Sequence, residues 1–300
     1  MSPQDYAITT DQLGRFFGKR KVVEGLSLHV PKGSIYGFLG LNGAGKSTTL
    51  RMMMGMLTPH FGSIQIAGLD PLRQRLQVCE RVGYVPDKLA VYEWMTTQEV
   101  LSFAAYYRKK HWNWKRVKEL VEVFSLPLNE RIQTLSKGQQ AKVNLLLAMA
   151  FEPEVLLLDE PTNGLDPVVR REFVETLLSQ YVEDGRTVVI SSHLVQEIAG
   201  VVDHVGILRD GALAYEMGTE EFLGEVVKLR ATFSDVMPTP LSSELVLNQT
   251  QKGRELVVTF LRKNEEAIQK ELAAIKAQQV EELPLNLEEA FMEVAAGGKR

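Results

Sequence analysis

The sequence predicts an α/β fold in two parts. Residues 1–223 form a domain with a parallel core sheet, an N-terminal antiparallel β-subdomain and an inserted helical subdomain at about 88–153, and residues 224–300 form a small C-terminal α+β accessory module. Three observations predict it. The runs Ile35–Leu39, Val155–Leu158 and Thr187–Ser192 lack the polar alternation of a half-exposed strand, so they suit a sheet covered on both faces. Ala7–Leu13 and Val22–Val30 do alternate, as antiparallel strands do. Between Thr96 and Phe124 the apolar period becomes helical, with Val100, Phe103, Ala104 and Tyr107 on one face and Val117, Leu120, Val121 and Phe124 on the next.

A chain of 300 residues with 45% apolar content fits about two domains with a sizeable core. The net charge of −4 argues against non-specific nucleic-acid binding, which needs a basic face to displace counterions. The single cysteine, Cys79, forms no internal disulfide, fits a reducing compartment and reads as a packing residue; no Cys/His metal grouping is visible. Met1–Thr10 lacks the basic-then-apolar pattern of a signal peptide. The most apolar stretch, Val143–Leu158, is interrupted by Asn144, Glu152, Pro153 and Glu154, short of the roughly 18 to 20 apolar residues of a spanning helix. A soluble chain is expected, with any membrane role coming through a partner.

The two N-terminal strands meet at a turn around Gly18 and the basic Lys19-Arg20-Lys21. Phe16 and Phe17 sit there, either as ordinary packing or as an aromatic face for a nucleotide base. Gly40–Thr48, GLNGAGKST, follows the strand ending at Leu39 and satisfies the phosphate-loop pattern. Across Asn42, Gly43, Ala44, Gly45, Lys46, Ser47 and Thr48, backbone N–H groups can turn inward to phosphate oxygens. Lys46 is expected to bridge the β- and γ-phosphates and Ser47 to ligate Mg²⁺, and the helix starting at Lys46 adds its positive dipole end.

Gly62–Gly68 and Arg81–Pro86 read as further short strands near the nucleotide. Tyr106–Arg116, YYRKKHWNWKR, reads as a solvated helix-to-helix corner rather than an RNA or membrane contact in so acidic a chain. At Leu135–Gln139, Ser136 and Gln139 have capping-box spacing, and a helix N-terminus with an exposed hydroxyl and a glycine also suits a phosphate. The strand Val155–Leu158 delivers Asp159 and Glu160 at its carboxyl end, where in a P-loop protein the first acid belongs near Mg²⁺ and the second accepts a proton from attacking water. The strand Thr187–Ser192 ends at His193, so Gly40, Asp159 and His193 converge outside the carboxyl ends of parallel strands. Val205–Arg209 and Ala212–Glu216 flank the hairpin signal Asp210-Gly211.

Together the loop at Gly40, LSKGQ at Leu135, VLLLDEP at Val155, GLD at Gly164 and SSH at Ser191 resemble the nucleotide-binding subunit of an ABC transporter, over about Ile8–Leu223. The resemblance implies an Mg-dependent ATPase with cofactors ATP and Mg²⁺. It makes Phe17 the adenine-stacking aromatic, Lys46, Ser47 and Asp159 the phosphate and metal ligands, Glu160 the catalytic base and His193 the γ-phosphate switch. It further implies a dimer, homodimer or heterodimer, in which Ser136, Gly138 and Gln139 contact the γ-phosphate held by the opposite subunit and Asp166 links the two sites. A separate transmembrane permease would hold the ATPase at the cytoplasmic face of the membrane. Two positions depart from the family pattern: Asp87 replaces the usual glutamine, with a metal-ligand role expected to persist, and Lys137 replaces the middle glycine of the signature. An importer ATPase, or a soluble ABC ATPase acting on DNA or ribosomes, is the alternative.

In the tail, Lys228–Ser234, Glu244–Thr250 and Glu255–Leu261 read as strands, the last two joined around Lys252-Gly253. A helix capped by Asn264 follows, carrying Ile268, Leu272 and Ile275 on one face. The ending Leu285–Val294 resembles that of bacterial type-2 ABC exporter ATPases, with Leu287, Phe291 and Val294 turned inward.

Overall fold

A computed structural model describes residues 5–108, 111–177, 185–234, 241–242 and 244–296. The chain divides into two compact units, Met1–His193 with Gly200–Glu216, and Leu194–Ala199 with Met217–Arg300.

The first unit opens with β1 (Tyr6–Phe17) and β2 (Arg20–Pro31), then β3 (Ile35–Leu39), α1 (Lys46–Met53) and β4 (Phe61–Ile66). β1 lies between β2 and β4 in an antiparallel three-stranded sheet. Inward-facing Ile8, Leu13, Val23, Leu26 and Leu28 are almost fully buried, which explains the alternation along both strands. Next come α2 (Arg75–Arg81), β5 (Val82–Val85), α3 (Thr97–Arg108), α4 (Trp114–Phe124), α5 (Lys137–Met149), β6 (Val155–Asp159), α6 (Pro167–Leu177), β7 (Thr187–Ser192), β8 (His204–Arg209) and β9 (Ala212–Gly218). The core sheet has the order β5-β6-β7-β3-β8-β9, parallel from β5 through β8. Every residue of β3, β6 and β7 is buried, as expected of strands without polar alternation in a sheet covered on both faces. β3, β6 and β7 are neighbours, so their carboxyl ends, with Gly40, Asp159 and His193, lie side by side.

Two helices, α3 and α4, precede the signature helix α5. Thr96 and Glu99 cap the start of α3 reciprocally, the Thr96 N–H donating to Glu99 Oε2 at 2.8 Å and the Glu99 N–H to Thr96 Oγ1 at 3.2 Å. On α4 the expected face is buried through Val117, Leu120 and Phe124. On α3 the expectation needs correction: Phe103 is 45% and Tyr107 72% exposed. The buried stripe of α3 is Thr97, Val100 and Leu101, and the exposed rings pack on one another instead, Phe103 on Tyr107 at 5.0 Å and on Tyr92 at 6.3 Å, with Tyr92 on Trp94 at 5.7 Å. The basic corner also holds a structural tie: Arg108 lies 3.6 Å over the Phe151 ring and donates to the Cys79 carbonyl at 2.8 Å. Lys109 and Lys110 lie outside the described residues.

The second unit contains α7 (Thr219–Glu225), β10 (Val226–Thr232), β11 (Asn248–Lys252), β12 (Glu255–Leu261), α8 (Glu265–Ala274), β13 (Gln279–Leu283) and α9 (Leu287–Ala296). Its sheet has the order β11-β12-β10-β13, all antiparallel, and Leu229, Val258 and Phe260 share a core with Ile268 and Leu272 of α8. Leu287, Phe291 and Val294 are buried as expected. Two readings change and one strand is unforeseen. The strand expected from Glu244 begins only at Asn248. Asn264 occupies the N-cap position of α8 but spends its amide on the Leu245 carbonyl, at 2.9 Å, and makes no side-chain cap. β13, sequence QVEEL, is a strand without aliphatic alternation, held by pairing to β10. Among the described residues no helix is long and apolar enough to cross a membrane.

Candidate active site

The turn from β3 to α1 is built by glycines whose backbone other residues resist. Gly43 and Gly45 have φ of 82° and 111°, and a Cβ on Gly45 would meet the Val22 carbonyl at 2.6 Å. The loop borders a cleft of about 510 Å³ lined also by Phe17, Arg20, Asp87, Glu160, Asn163 and His193. Asn42, Gly43, Gly45, Lys46, Ser47 and Thr48 face it; Ala44 is buried, its N–H donating to Leu41 O at 3.1 Å.

Lys46 is only 5% exposed, and its Nζ donates to Gly40 O at 2.6 Å and pairs with Glu160 Oε1 at 3.1 Å. The other Glu160 oxygen meets His193 Nδ1 at 2.7 Å. The Glu160 backbone has φ 49°, rare for a residue with a Cβ, and is held there by N–H bonds to Ser191 O at 3.2 Å and Ser191 Oγ at 3.1 Å. Beneath this pair Asp159 is fully buried and triply satisfied: Ser47 Oγ donates to Oδ1 at 2.8 Å, Ser191 Oγ to Oδ1 at 3.1 Å and Tyr84 Oη to Oδ2 at 3.2 Å. Burial, then the charge of Asp159, pushes the Tyr84 hydroxyl up to about 12, so it is a proton donor at neutral pH.

Asp87 is on the cleft wall, its Oδ1 accepting from Asn163 Nδ2 at 3.1 Å. Ser47 and Asp159 supply the hard oxygen donors that suit Mg²⁺, an ion held through one or two carboxylates plus substrate phosphates. Among the described residues there is no cluster of three or more His, Cys, Asp or Glu side chains that could hold a metal.

Ser136, Gly138, Gln139 and Asp166 do not line the cleft of their own chain. Ser136 caps α5 in a complete capping box, accepting from the Gln139 N–H at 3.2 Å while its own N–H donates to Gln139 Oε1 at 2.9 Å. Asp166 caps α6, its Oδ1 accepting from the Val168 and Val169 N–H groups at 3.1 Å. A Cβ on Gly138 would stand 2.7 Å from Val169, so the two helix starts are packed together. Lys137 runs past Gly164, where a Cβ would lie 3.6 Å from its Nζ. Sequence reasoning assigned no role to Arg20, Tyr84, Asn163 or Ser191. Arg20 stands among the basic turn residues next to Phe17, and Ser191 within the SSH motif, so position gave a signal for those two; nothing in the sequence shows that Tyr84 faces Asp159.

A glycine loop, a helix N-terminus and acidic strand ends set side by side on a parallel sheet are the apparatus of a P-loop ATPase. Comparison with known proteins narrows the class. The ABC transporter family model matches residues 23–163. The bacitracin transport ATP-binding protein BcrA of Bacillus licheniformis is 36% identical over 212 residues, covering 70% of this chain and 69% of that one. The ABC transporter ATP-binding protein YtrB of Bacillus subtilis is 28% identical over 289 residues, covering 96% and 98%. The linearmycin resistance ATP-binding protein LnrL of Bacillus subtilis is 33% identical over 210 residues, covering 69% and 67%. Among solved structures, an ATP-binding subunit of an ABC transporter superposes with a TM-score of 0.65 at 26% identity, over 72% of this chain and 91% of that one. The chain therefore belongs to the ABC transporter ATP-binding proteins, and it is an ATPase that binds ATP.

Proposed function

We propose that the chain is one of two ATPase subunits, identical or related, that close on two Mg·ATP molecules and drive a separate transmembrane permease in the direction of export. One observation carries the dimeric reading. The cleft of a single chain gathers the phosphate loop, Glu160 and His193, whereas Ser136, Gly138, Gln139 and Asp166 stand at helix starts away from it. A facing copy brings those helix N-termini to the γ-phosphate.

In this reading the ATP γ-phosphate replaces Glu160 as the counterion of Lys46, and Glu160 turns to the attacking water and accepts its proton. His193, 2.7 Å from Glu160, holds that carboxylate and reports on the phosphate. Ser47 and Asp159 would hold Mg²⁺, with Asp87 on the cleft wall as a further oxygen donor, and the ion would supply positive charge to the phosphates. Phe17 stacks on the adenine. The ATPase domain is assigned to residues 1–223 and the remainder to an accessory module.

Export is supported by relatives named for bacitracin transport and linearmycin resistance. The permease contact is assigned to the exposed rings of Tyr92, Trp94, Phe103, Tyr106 and Tyr107, an apolar patch of the kind that marks a protein interface. The ATPase would then sit at the cytoplasmic face of the membrane through its partner. Affinity purification from detergent-solubilised membranes tests the whole: a polytopic membrane protein should accompany the chain, and recovery of ribosomes or nucleic acid in its place contradicts it.

A further inference from the structure

The end of β1 is clamped onto the segment that enters β4. Arg15 Nη1 donates to Thr58 O at 2.8 Å. The Phe16 N–H donates to His60 Nδ1 at 3.2 Å, and the Phe16 ring packs on His60 at 5.4 Å and on Phe61 at 5.6 Å. Phe61 covers Gly14 so closely that a Cβ there would come within 2.0 Å of its ring. Phe17 is the next residue out. Its ring is 49% exposed and lines the nucleotide cleft, while the Arg15 guanidinium, which does not line that cleft, lies 4.9 Å from the ring centroid.

We propose that Arg15 is a positioning residue for purine recognition: anchored to the Thr58 carbonyl, its guanidinium backs the Phe17 ring and holds it as a platform for the base. The physics is direct. A guanidinium within about 6 Å of a ring centroid is attracted by the negative π face, which fixes the otherwise exposed ring. The same charge lowers electron density at the opposite face, where an electron-rich purine stacks. An exposed phenylalanine alone would spend free energy on ordering when the base arrives, and the clamp removes part of that cost in advance. The inference rests on Phe17 being the base-stacking aromatic.

Binding of ATP and of inorganic tripolyphosphate, each with Mg²⁺, to the full chain tests it, using Arg15→Met, Arg15→Lys and Phe17→Ala. Arg15→Met should raise the Kd and KM for ATP about two- to fivefold with kcat unchanged, because stacking is equal in ground and transition states. Tripolyphosphate, which has no base, should bind as to wild type, and Arg15→Lys should restore part of the loss. Phe17→Ala should cost more, about five- to a hundredfold. An Arg15→Met protein that binds ATP like wild type, or that loses ATP and tripolyphosphate alike, overturns the role of Arg15. Wild-type ATP affinity in Phe17→Ala overturns the Phe17 reading itself and the inference with it.

Discussion

Replacing Glu160 by glutamine should destabilise the empty protein while strengthening its response to ATP. The carboxylate is 13% exposed and pairs at 3.1 Å with Lys46, itself 5% exposed, so solvent screens the pair poorly. Deleting one partner of a buried pair costs roughly 3–5 kcal/mol, but a glutamine oxygen still accepts from Lys46, leaving about 2 kcal/mol for the lost charge. For a domain of this size that amounts to a fall in Tm of about 4–8 °C. ATP then supplies the negative charge that Lys46 lacks, so the variant should gain more Tm from Mg·ATP than wild type does, and hydrolysis should fall by about 10²- to 10⁴-fold with its general base gone. Thermal melting with and without Mg·ATP, followed by a phosphate-release assay, measures all three. An unchanged or higher Tm for the empty variant would refute the claim that Glu160 is the resident counterion of Lys46.

Tyr84→Phe removes one of three donors to buried Asp159 and should weaken Mn²⁺ binding, read by electron paramagnetic resonance with ATP present, by about threefold or more; unchanged binding would show that Ser47 and Ser191 suffice. Asp87→Ala breaks the bond to Asn163 and should lower Mg²⁺-dependent hydrolysis, and full activity would leave Asp87 without a metal role. Trp94→Ala with Tyr107→Ala, both exposed, should leave ATPase activity of the isolated chain within a factor of about two and yet reduce recovery of the membrane partner; undiminished recovery moves the interface elsewhere.

The core of the fold was legible because β3, β6 and β7 lack the polar alternation of half-exposed strands, and they lead into Gly40, Asp159 and His193, the positions proposed for the site. The signature helix was legible through its capping box, which the structure reproduces in full. Contacts made by tertiary placement were not. Phe103 and Tyr107 have the spacing of a buried face but lie beside the stripe that packs, which runs through Thr97, Val100 and Leu101 and on through half-buried Ala104, Ala105 and Arg108; periodicity alone does not say which of two adjacent faces turns inward. β13 has no strand pattern because its register comes from β10. Tyr84 meets Asp159 only because β5 and β6 are neighbours, a pairing absent from local sequence.

The central claim, that each ATP site is shared between two chains, is tested most directly by mixing two inactive variants. Lys46→Ala spoils the phosphate loop and Ser136→Arg spoils the signature, so a mixed dimer keeps one intact site, built from the loop of one chain and the signature of the other. Random pairing at equal concentration should restore about a quarter of wild-type turnover. A mixture no more active than either variant alone would contradict the shared site.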